Sequence, residues 1–121
     1  MLRPPSPESF LPLPPSEFEI LLALADGERH GYGIMTEVDQ RTGSRVQLGP
    51  GTLYGSIKRM LGRGLIAESA ERRDPVLGDQ RRRYYALTTL GRAVANAEAV
   101  RMAGLVALAR RRRLLGRLET A

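Results

Sequence analysis

The sequence predicts a mainly α-helical α+β domain: a winged helix-turn-helix followed by a long C-terminal dimerisation helix. Three observations predict this fold. A helical pattern beginning at Pro50 has one apolar face and one small, basic face. Two extended runs, residues 65–69 and 83–87, flank a stretch rich in turn residues. A further helical pattern follows Thr88 and continues for about thirty residues.

Length and charge limit the classes of protein to consider. The chain has 121 residues, enough for one domain, and a net charge of +6. The charge is uneven, because residues 1–48 sum to −3 and residues 49–121 sum to +9. Of the 19 basic residues, 18 are Arg, whose guanidinium suits bidentate contacts with phosphate and guanine. The basic second half favours a polyanionic partner such as nucleic acid.

Few residues could support catalysis or bind a metal. The chain has no Cys and a single His, His30, which excludes disulfides, Cys-ligated metals and His clusters. His30 precedes Gly31 at a predicted helix start, where a capping role is expected rather than a catalytic one. The Gly-rich stretches lack the spacing of a phosphate-binding P-loop. We therefore predict that the chain is not an enzyme, with no catalytic residue, cofactor or metal site.

The N-terminal region gives no sign of a membrane or export segment. No apolar run approaches the roughly 20 residues that span a bilayer, and prolines interrupt the N-terminal apolar residues. We expect a cytoplasmic protein with no membrane partner. Six of the eight prolines fall in residues 1–15, which predicts an extended or disordered arm. An arm that reaches DNA or a partner subunit is the alternative.

Residues 16–48 predict two helices and a short strand. Ser16 and Glu19 have the spacing of a capping box at the start of the first helix. The second helix is expected from about residue 31 to residue 41. Residues 45–48 alternate in polarity and predict a short strand before the third helix.

The third helix, residues 50–63, carries the main functional signal. Pro50 fits its first position, and an apolar arc of residues 53, 57, 60 and 61 would pack on a core. Gly55 lies at the centre of the opposite arc, where it either lets the backbone approach DNA or packs closely against another element. The predicted DNA-binding residues of this helix are Thr52, Tyr54, Gly55, Lys58, Arg59 and Arg63.

Some of these residues allow a second interpretation. Tyr54, at the edge of the apolar arc, either hydrogen-bonds a phosphate or packs against the hairpin that follows. Lys58 and Arg59 are either groove contacts or ordinary solvated charges.

The extended runs form a predicted hairpin, the wing. Asp74-Pro75 and Gly78-Asp79 are turn signals between them. Arg81 and Arg82 are predicted to contact the phosphate backbone, with a solvated loop as the alternative.

The last helix is predicted to run from an N-cap at Thr88 to about residue 118. Arg110–Arg113 is interpreted chiefly as a solvated face, with a phosphate contact or a membrane-surface patch as alternatives. These patterns predict three regions: an arm over residues 1–15, a DNA-binding domain over 16–87 and a dimerisation helix over 88–121.

The apolar positions of the last helix approximate a heptad seam. The helix is predicted to dimerise through Val94, Ala97, Leu105, Leu108 and Leu115.

Three segments of the chain resemble the PadR family of bacterial transcriptional regulators. They are ILLALADG at 20–27 with HGY at 30–32, GPGTLY at 49–54 with GLI at 64–66, and RRRYYALT at 81–88 followed by Gly91 and Arg92. The resemblance covers about residues 17–118. It implies a winged helix-turn-helix, a C-terminal helical part that dimerises, and repression through palindromic double-stranded operators. In some members a small aromatic or hydrophobic effector releases the DNA.

The chain departs from the family pattern at Gly49 and in the stretch 74–79. Gly49 stands where Ser is usual, and Gly is an acceptable cap. The stretch 74–79 is longer and more acidic than the usual wing tip, and the chain has no Trp for an aromatic effector site.

The function that we predict is that of a homodimeric, DNA-binding repressor. A winged helix used for protein–protein contact is the alternative, and its mark would be an apolar outward arc on the third helix.

Overall fold

The structure, a computed structural model, describes residues 5–73 and 81–116, with only the backbone described at 70–73 and 81. The predicted wing turn at 74–79 and the end of the last predicted helix lie outside these ranges. A 3-10 turn, Pro7–Phe10, precedes the main elements. These are α1 (Pro15–Leu24), β1 (Arg29–His30), α2 (Gly31–Arg41), α3 (Pro50–Gly62), β2 (Ile66–Arg73), β3 (Arg81–Leu87) and α4 (Thr89–Arg111).

The mainly helical winged helix-turn-helix fold is confirmed. Strands β2 and β3 pair antiparallel from Ile66 opposite Leu87 to Arg73 opposite Arg81, with an irregularity between Glu68 and Ala70. These two strands are the predicted wing. Strand β1 adds to the other edge of β3, so that the sheet order is β1-β3-β2.

The core lies where the helices meet the sheet. Helix α1 contacts α2, α3, α4 and β3, so it occupies the centre of the domain. The predicted apolar arc of α3 faces inward, since residues 53, 57 and 60 are buried there. The buried apolar side chains of the three N-terminal helices include Ile20, Leu21, Leu24, Ile34, Val38, Leu53, Ile57 and Met60.

The described part of the N-terminal segment is not the extended or disordered arm that the prolines predicted. Its 3-10 turn packs on α4. Leu13 is buried in the core, and its backbone N–H donates a 2.7 Å hydrogen bond to Oε2 of Glu98. Prolines exclude a long helix but not a folded segment, because apolar side chains between them can still pack.

Two other local predictions were wrong. Helix α1 begins at Pro15 without a side-chain cap, and Ser16 instead lies 3.3 Å, oxygen to oxygen, from Ser56 of α3. Residues 45–48 form no strand. The Thr42 hydroxyl donates to the Val38 carbonyl and accepts from the Val46 N–H, which organises a turn after α2.

Helix α4 begins as predicted and ends earlier. Thr88 is its N-cap, with the hydroxyl accepting a 2.9 Å hydrogen bond from the Gly91 N–H. The helix ends at Arg111, and Arg113 adopts a left-handed φ of 62°. The predicted seam residue Leu115 therefore lies beyond the helix.

Candidate nucleic-acid interface

Helix α3 presents a nearly bare backbone to solvent. Rotation by 100° per residue puts Gly51, Gly55, Lys58 and Gly62 on the side opposite the buried residues. An added Cβ at Gly51 or Gly62 would meet no atom within 4 Å, and at Gly55 only the Arg59 Nη1 atom at 3.6 Å. Gly55 therefore packs against no other described element. The alternative of close structural packing is excluded for these residues, and the surface can approach a flat or grooved partner closely.

Thr52 and Lys58 are exposed on α3. Thr52 lies in the first turn, which in a recognition helix is the part nearest the base edges. Lys58 lies on the glycine side, and none of the described residues forms an ion pair with it. We call Gly51, Thr52, Gly55 and Lys58 the outward face of α3.

Tyr54 lies across the start of α2. A Cβ on Gly31 would be 2.5 Å from the Tyr54 hydroxyl, so the ring passes where only glycine leaves room. The Tyr54 side chain is half exposed and borders a shallow cavity of about 450 Å³ between α2, α3 and the wing. It thus packs on α2 and remains partly accessible to solvent. The cavity is lined by His30, Gly31, Tyr32, Tyr54, Arg82, Arg83 and Tyr85.

His30 caps α2, which confirms the capping role predicted for it. Its Nδ1 accepts a 2.9 Å hydrogen bond from the Gly33 N–H. Its ring meets Tyr84 edge to face at a centroid distance of 5.2 Å. The guanidinium of Arg82 lies 3.1 Å from the same Nδ1 and 5.4 Å from the Tyr32 ring centroid. Arg82 therefore turns toward the α2 N-terminus rather than projecting away from the wing.

Only the backbone of Arg81 is described, so the prediction for its side chain lies outside the structure.

Tyr85 of β3 is buried in the core. Burial raises the pKa of its hydroxyl, and the charge of Glu68 raises that pKa further.

Arg59 and Arg63 turn to the flank of α3 that faces α1, which we call the α1 flank. There they meet Glu17 of α1, whose side chain is 2% exposed. The Arg59 Nε lies 3.6 Å from Glu17 Oε2, and the Arg63 Nη1 lies 3.6 Å from Oε1. Arg59 also donates a 3.1 Å hydrogen bond to the Ser56 hydroxyl, and Arg63 lies 4.7 Å from the Phe10 ring centroid. Two of the predicted DNA-binding side chains thus have partners within the protein.

Glu17 was missed because its role depends on where α3 packs. One signal in the sequence was available. Glu17 stands three, four and seven residues before Ile20, Leu21 and Leu24, so it shares the buried face of α1. A carboxylate on such a face needs a cationic partner, and this requirement points to a nearby Arg.

The predicted dimerisation residues have different environments. Val94 is fully buried in the core of its own chain, so it has no surface for a partner and the prediction is wrong at this residue. Ala97 and Leu108 are partly buried, while Leu105 is 53% exposed beside the exposed Val106. The predicted solvated run at 110–113 is exposed.

Other kinds of site have no support in the described residues. Over 5–73 and 81–116, no group of His, Cys, Asp or Glu could hold a metal ion. Within the same part of the chain, no helix is both long and apolar enough to cross a membrane.

The chain is similar to solved structures of transcription regulators. A PadR family regulator from Clostridium difficile R20291 is 26% identical, with a TM-score of 0.68 over 79% of this chain and 95% of that one. A Clostridium thermocellum regulator shares the fold at 21% identity and a TM-score of 0.66, covering 79% and 87% of the two chains. Bacillus subtilis PadR in complex with operator DNA also shares the fold, at 21% identity and a TM-score of 0.59, over 67% of this chain and 44% of that one.

One curated relative is more similar in sequence but much longer. A 37.1 kDa protein of uncharacterised function from transposon TN4556 of Streptomyces fradiae is 40% identical over 86 residues. The match covers 71% of this chain but 22% of that protein. The transcriptional regulator PadR-like family matches this chain over residues 20–97. This range includes most of the winged helix-turn-helix and the start of α4. The chain therefore belongs to the PadR-like family of DNA-binding transcriptional regulators.

Proposed function

We propose that this protein is a homodimeric repressor that places the outward face of α3 in the major groove of a palindromic operator. The observation that carries the proposal is the bare glycine side of α3 with the exposed Lys58 beside it. A major groove about 12 Å wide admits a helix, and a helix without side chains at its centre can enter it deeply. Repression and a palindromic site are what the resemblance to the family implies, and the operator complex of Bacillus subtilis PadR supports binding to operator DNA.

The proposed contacts divide into two kinds. Thr52 and Lys58 would reach base edges or phosphates within the groove, while the backbone around Gly55 approaches the DNA. Tyr54, Arg81 and Arg82 would lie beside the phosphates, where contacts fix the position of the protein without reading sequence. Arg59 and Arg63 would contribute less than Lys58, because Glu17 of α1 pairs with both of them.

Dimerisation would bring two copies of α3 to successive turns of the same DNA face, about 34 Å apart. The second half of α4 would supply the contact through Ala97, Leu105 and Leu108. A small aromatic or hydrophobic effector would release the DNA, as the resemblance to the family implies, and no residue is assigned to its binding. The rival role in protein–protein contact is not favoured, since the outward face of α3 has no apolar side chain larger than a methyl group.

Selection of bound duplexes from a random pool would give the operator, and Lys58→Ala tests the assignment. If Lys58 contacts the operator, Lys58→Ala should weaken binding in a gel-shift assay by about 1–3 kcal/mol at fixed salt. Arg112→Ala is the control matched in charge, because Arg112 is exposed at the end of α4 and far along the chain from α3. Equal affinity losses in the two variants would refute the assignment of Lys58. Failure of the selection to enrich any sequence would refute a sequence-specific regulator.

A further inference from the structure

We propose that Glu17 sets the charge that α3 presents to DNA, by holding Arg59 and Arg63 on the α1 flank. This inference rests on the proposed function and concerns the same surface. Glu17 has the properties of a positioning residue. It is buried and belongs to α1 rather than to α3. One carboxylate oxygen faces Arg59 of α3 and the other faces Arg63, the residue just after α3, each at 3.6 Å.

The carboxylate is poorly satisfied without the two Arg side chains. Glu17 Oε1 is buried and makes no hydrogen bond with any described group. A distance of 3.6 Å supplies charge attraction but is too long for a hydrogen bond. If Arg63 or Arg59 moved toward DNA, the carboxylate would keep its burial and lose a compensating charge, which is costly. The burial of Glu17 therefore opposes any movement of the two guanidinium groups.

Arg59 has partners at two of its nitrogens although its side chain is 58% exposed. Its Nε faces Glu17, and its Nη2 donates to the Ser56 hydroxyl. Ser56 is fully buried and is itself 3.3 Å from the Ser16 hydroxyl, so this chain of contacts ends in α1. Arg63 has a second partner in the Phe10 ring of the N-terminal segment. Both side chains are thus held by groups outside α3.

The consequence is a recognition helix with less effective positive charge than its sequence indicates. Of its flanking cations Lys58, Arg59 and Arg63, only Lys58 lacks a carboxylate among the described residues. Attraction to phosphate is independent of sequence and dominates non-specific binding. The single charge of Glu17 offsets one of the two positive charges of Arg59 and Arg63. Lowering the charge in this way would reduce non-specific affinity more than specific affinity, and would thereby favour discrimination between operator and other DNA.

The test measures the salt dependence of binding to a mixed-sequence duplex and to the selected operator. Glu17→Gln removes the charge but keeps the shape, and it should free one or two cations to meet phosphates. The slope of log affinity against log salt should then steepen by about 0.9 for each added phosphate contact. Non-specific affinity should rise more than operator affinity. Removing the freed cation in Glu17→Gln/Arg59→Met should return the slope part of the way.

Glu19→Gln is the matched control. It makes the same change of net charge on the same helix, but Glu19 pairs with Arg41 of α2 at 2.8 Å rather than with α3. Equal slopes for Glu17→Gln and Glu19→Gln would overturn the inference and leave the proposed function intact. If the unaltered protein showed no salt-dependent binding to DNA, both the proposed function and this inference would be refuted.

A second comparison covers the case in which Glu17→Gln does not fold, which circular dichroism would show. With Glu17 intact, Lys58→Met should reduce the slope by about 0.9, and Arg59→Met should reduce it by clearly less. Equal reductions would show that Arg59 meets a phosphate as freely as Lys58, and would overturn the inference.

Discussion

Gly91 lies in the first turn of α4, where the helix passes over Leu65 in the connection between α3 and β2. A Cβ at this position would lie 1.8 Å from the Leu65 carbonyl oxygen, a backbone atom that cannot rotate away. The same carbonyl accepts hydrogen bonds from the backbone N–H and the hydroxyl of Thr88. Three groups therefore fix one point of contact between α4 and the start of the wing.

Gly91→Ala should destabilise the protein by about 1–3 kcal/mol, because the added methyl group forces two backbones apart. Urea unfolding at fixed protein concentration would measure the loss. Gly104→Ala on the same helix is the control, since no atom lies within 4 Å of its added Cβ. That variant should gain up to about 1 kcal/mol from helix propensity. Equal stability of Gly91→Ala and the unaltered protein would contradict the close approach.

At the scale of residues, two local caps were predicted correctly and the one at Ser16 was not, while pairings between elements were not predicted. The caps at His30 and Thr88 follow from residue type at a helix start. The Glu17 pairs depend on two helices that meet across forty residues of chain, and no local pattern specifies their partners. The outward face of α3 was predictable from its spacing, whereas the directions of Arg59 and Arg63 required the position of α1.

At the scale of elements, the N-terminal segment and α4 are joined through Glu98. This carboxylate is fully buried and accepts from the Leu13 N–H and from Arg101. The hydrogen bond with Arg101 lowers the pKa of Glu98, and the Leu13 N–H adds to this against the opposing effect of burial. The ionised form is therefore favoured in the folded protein.

The sign of the pH effect follows from this lowered pKa. Ionised Glu98 stabilises the fold at pH values above the ordinary glutamate pKa of about 4.3. This contribution is lost as the pH falls through the lower pKa that Glu98 has in the folded protein. Glu98→Gln should reduce stability at neutral pH and flatten the acid side of the stability curve, as measured by urea unfolding at several pH values. Glu8→Gln, at an exposed position, makes the same charge change and should retain the slope of the unaltered protein. A parallel acid slope in Glu98→Gln would contradict this role.

The long elements were predicted within one or two residues of their ends, apart from the C-terminal ends of β2 and α4. The short elements were not. Strand β1 has two residues, Arg29 and His30, too few to show a period, and it exists because β3 offers an edge beside it. Residues 45–48 alternate in polarity but have no strand to pair with, so the turn built by Thr42 prevails. Tertiary context decides such short segments.

At the scale of the whole molecule, α4 continues for more than three turns beyond its last buried residue. Its 23 residues span about 34 Å, and Glu98 is its last buried residue. Leu105 lies on the same side of the helix as Val94 and Glu98, but it projects past the core and is 53% exposed. The apolar side chains beyond Glu98 therefore have little of the described chain to cover them, which supports the proposed dimer.

Leu105→Glu should convert a dimer into a monomer at micromolar concentration, because it would bury a charge between two helices. Sedimentation velocity would measure the change. Ala103→Glu places the same charge on an exposed position of the opposite side of α4 and should leave the dimer intact. A monomeric unaltered protein, or two variants that dissociate equally, would remove the assignment of this surface.

The contact of Gly91 with Leu65 also bears on how two DNA-binding heads would be spaced. Strand β3 ends at Leu87 and α4 begins at Thr89, so a single residue joins the wing to the long helix. Because Gly91 and Thr88 contact the Leu65 carbonyl, the first turn of α4 would be fixed relative to the wing rather than joined to it by a flexible linker. The distance between two recognition helices would then be set by the angle at which the two arms cross. Small changes at that crossing would move each head in proportion to the length of the arm.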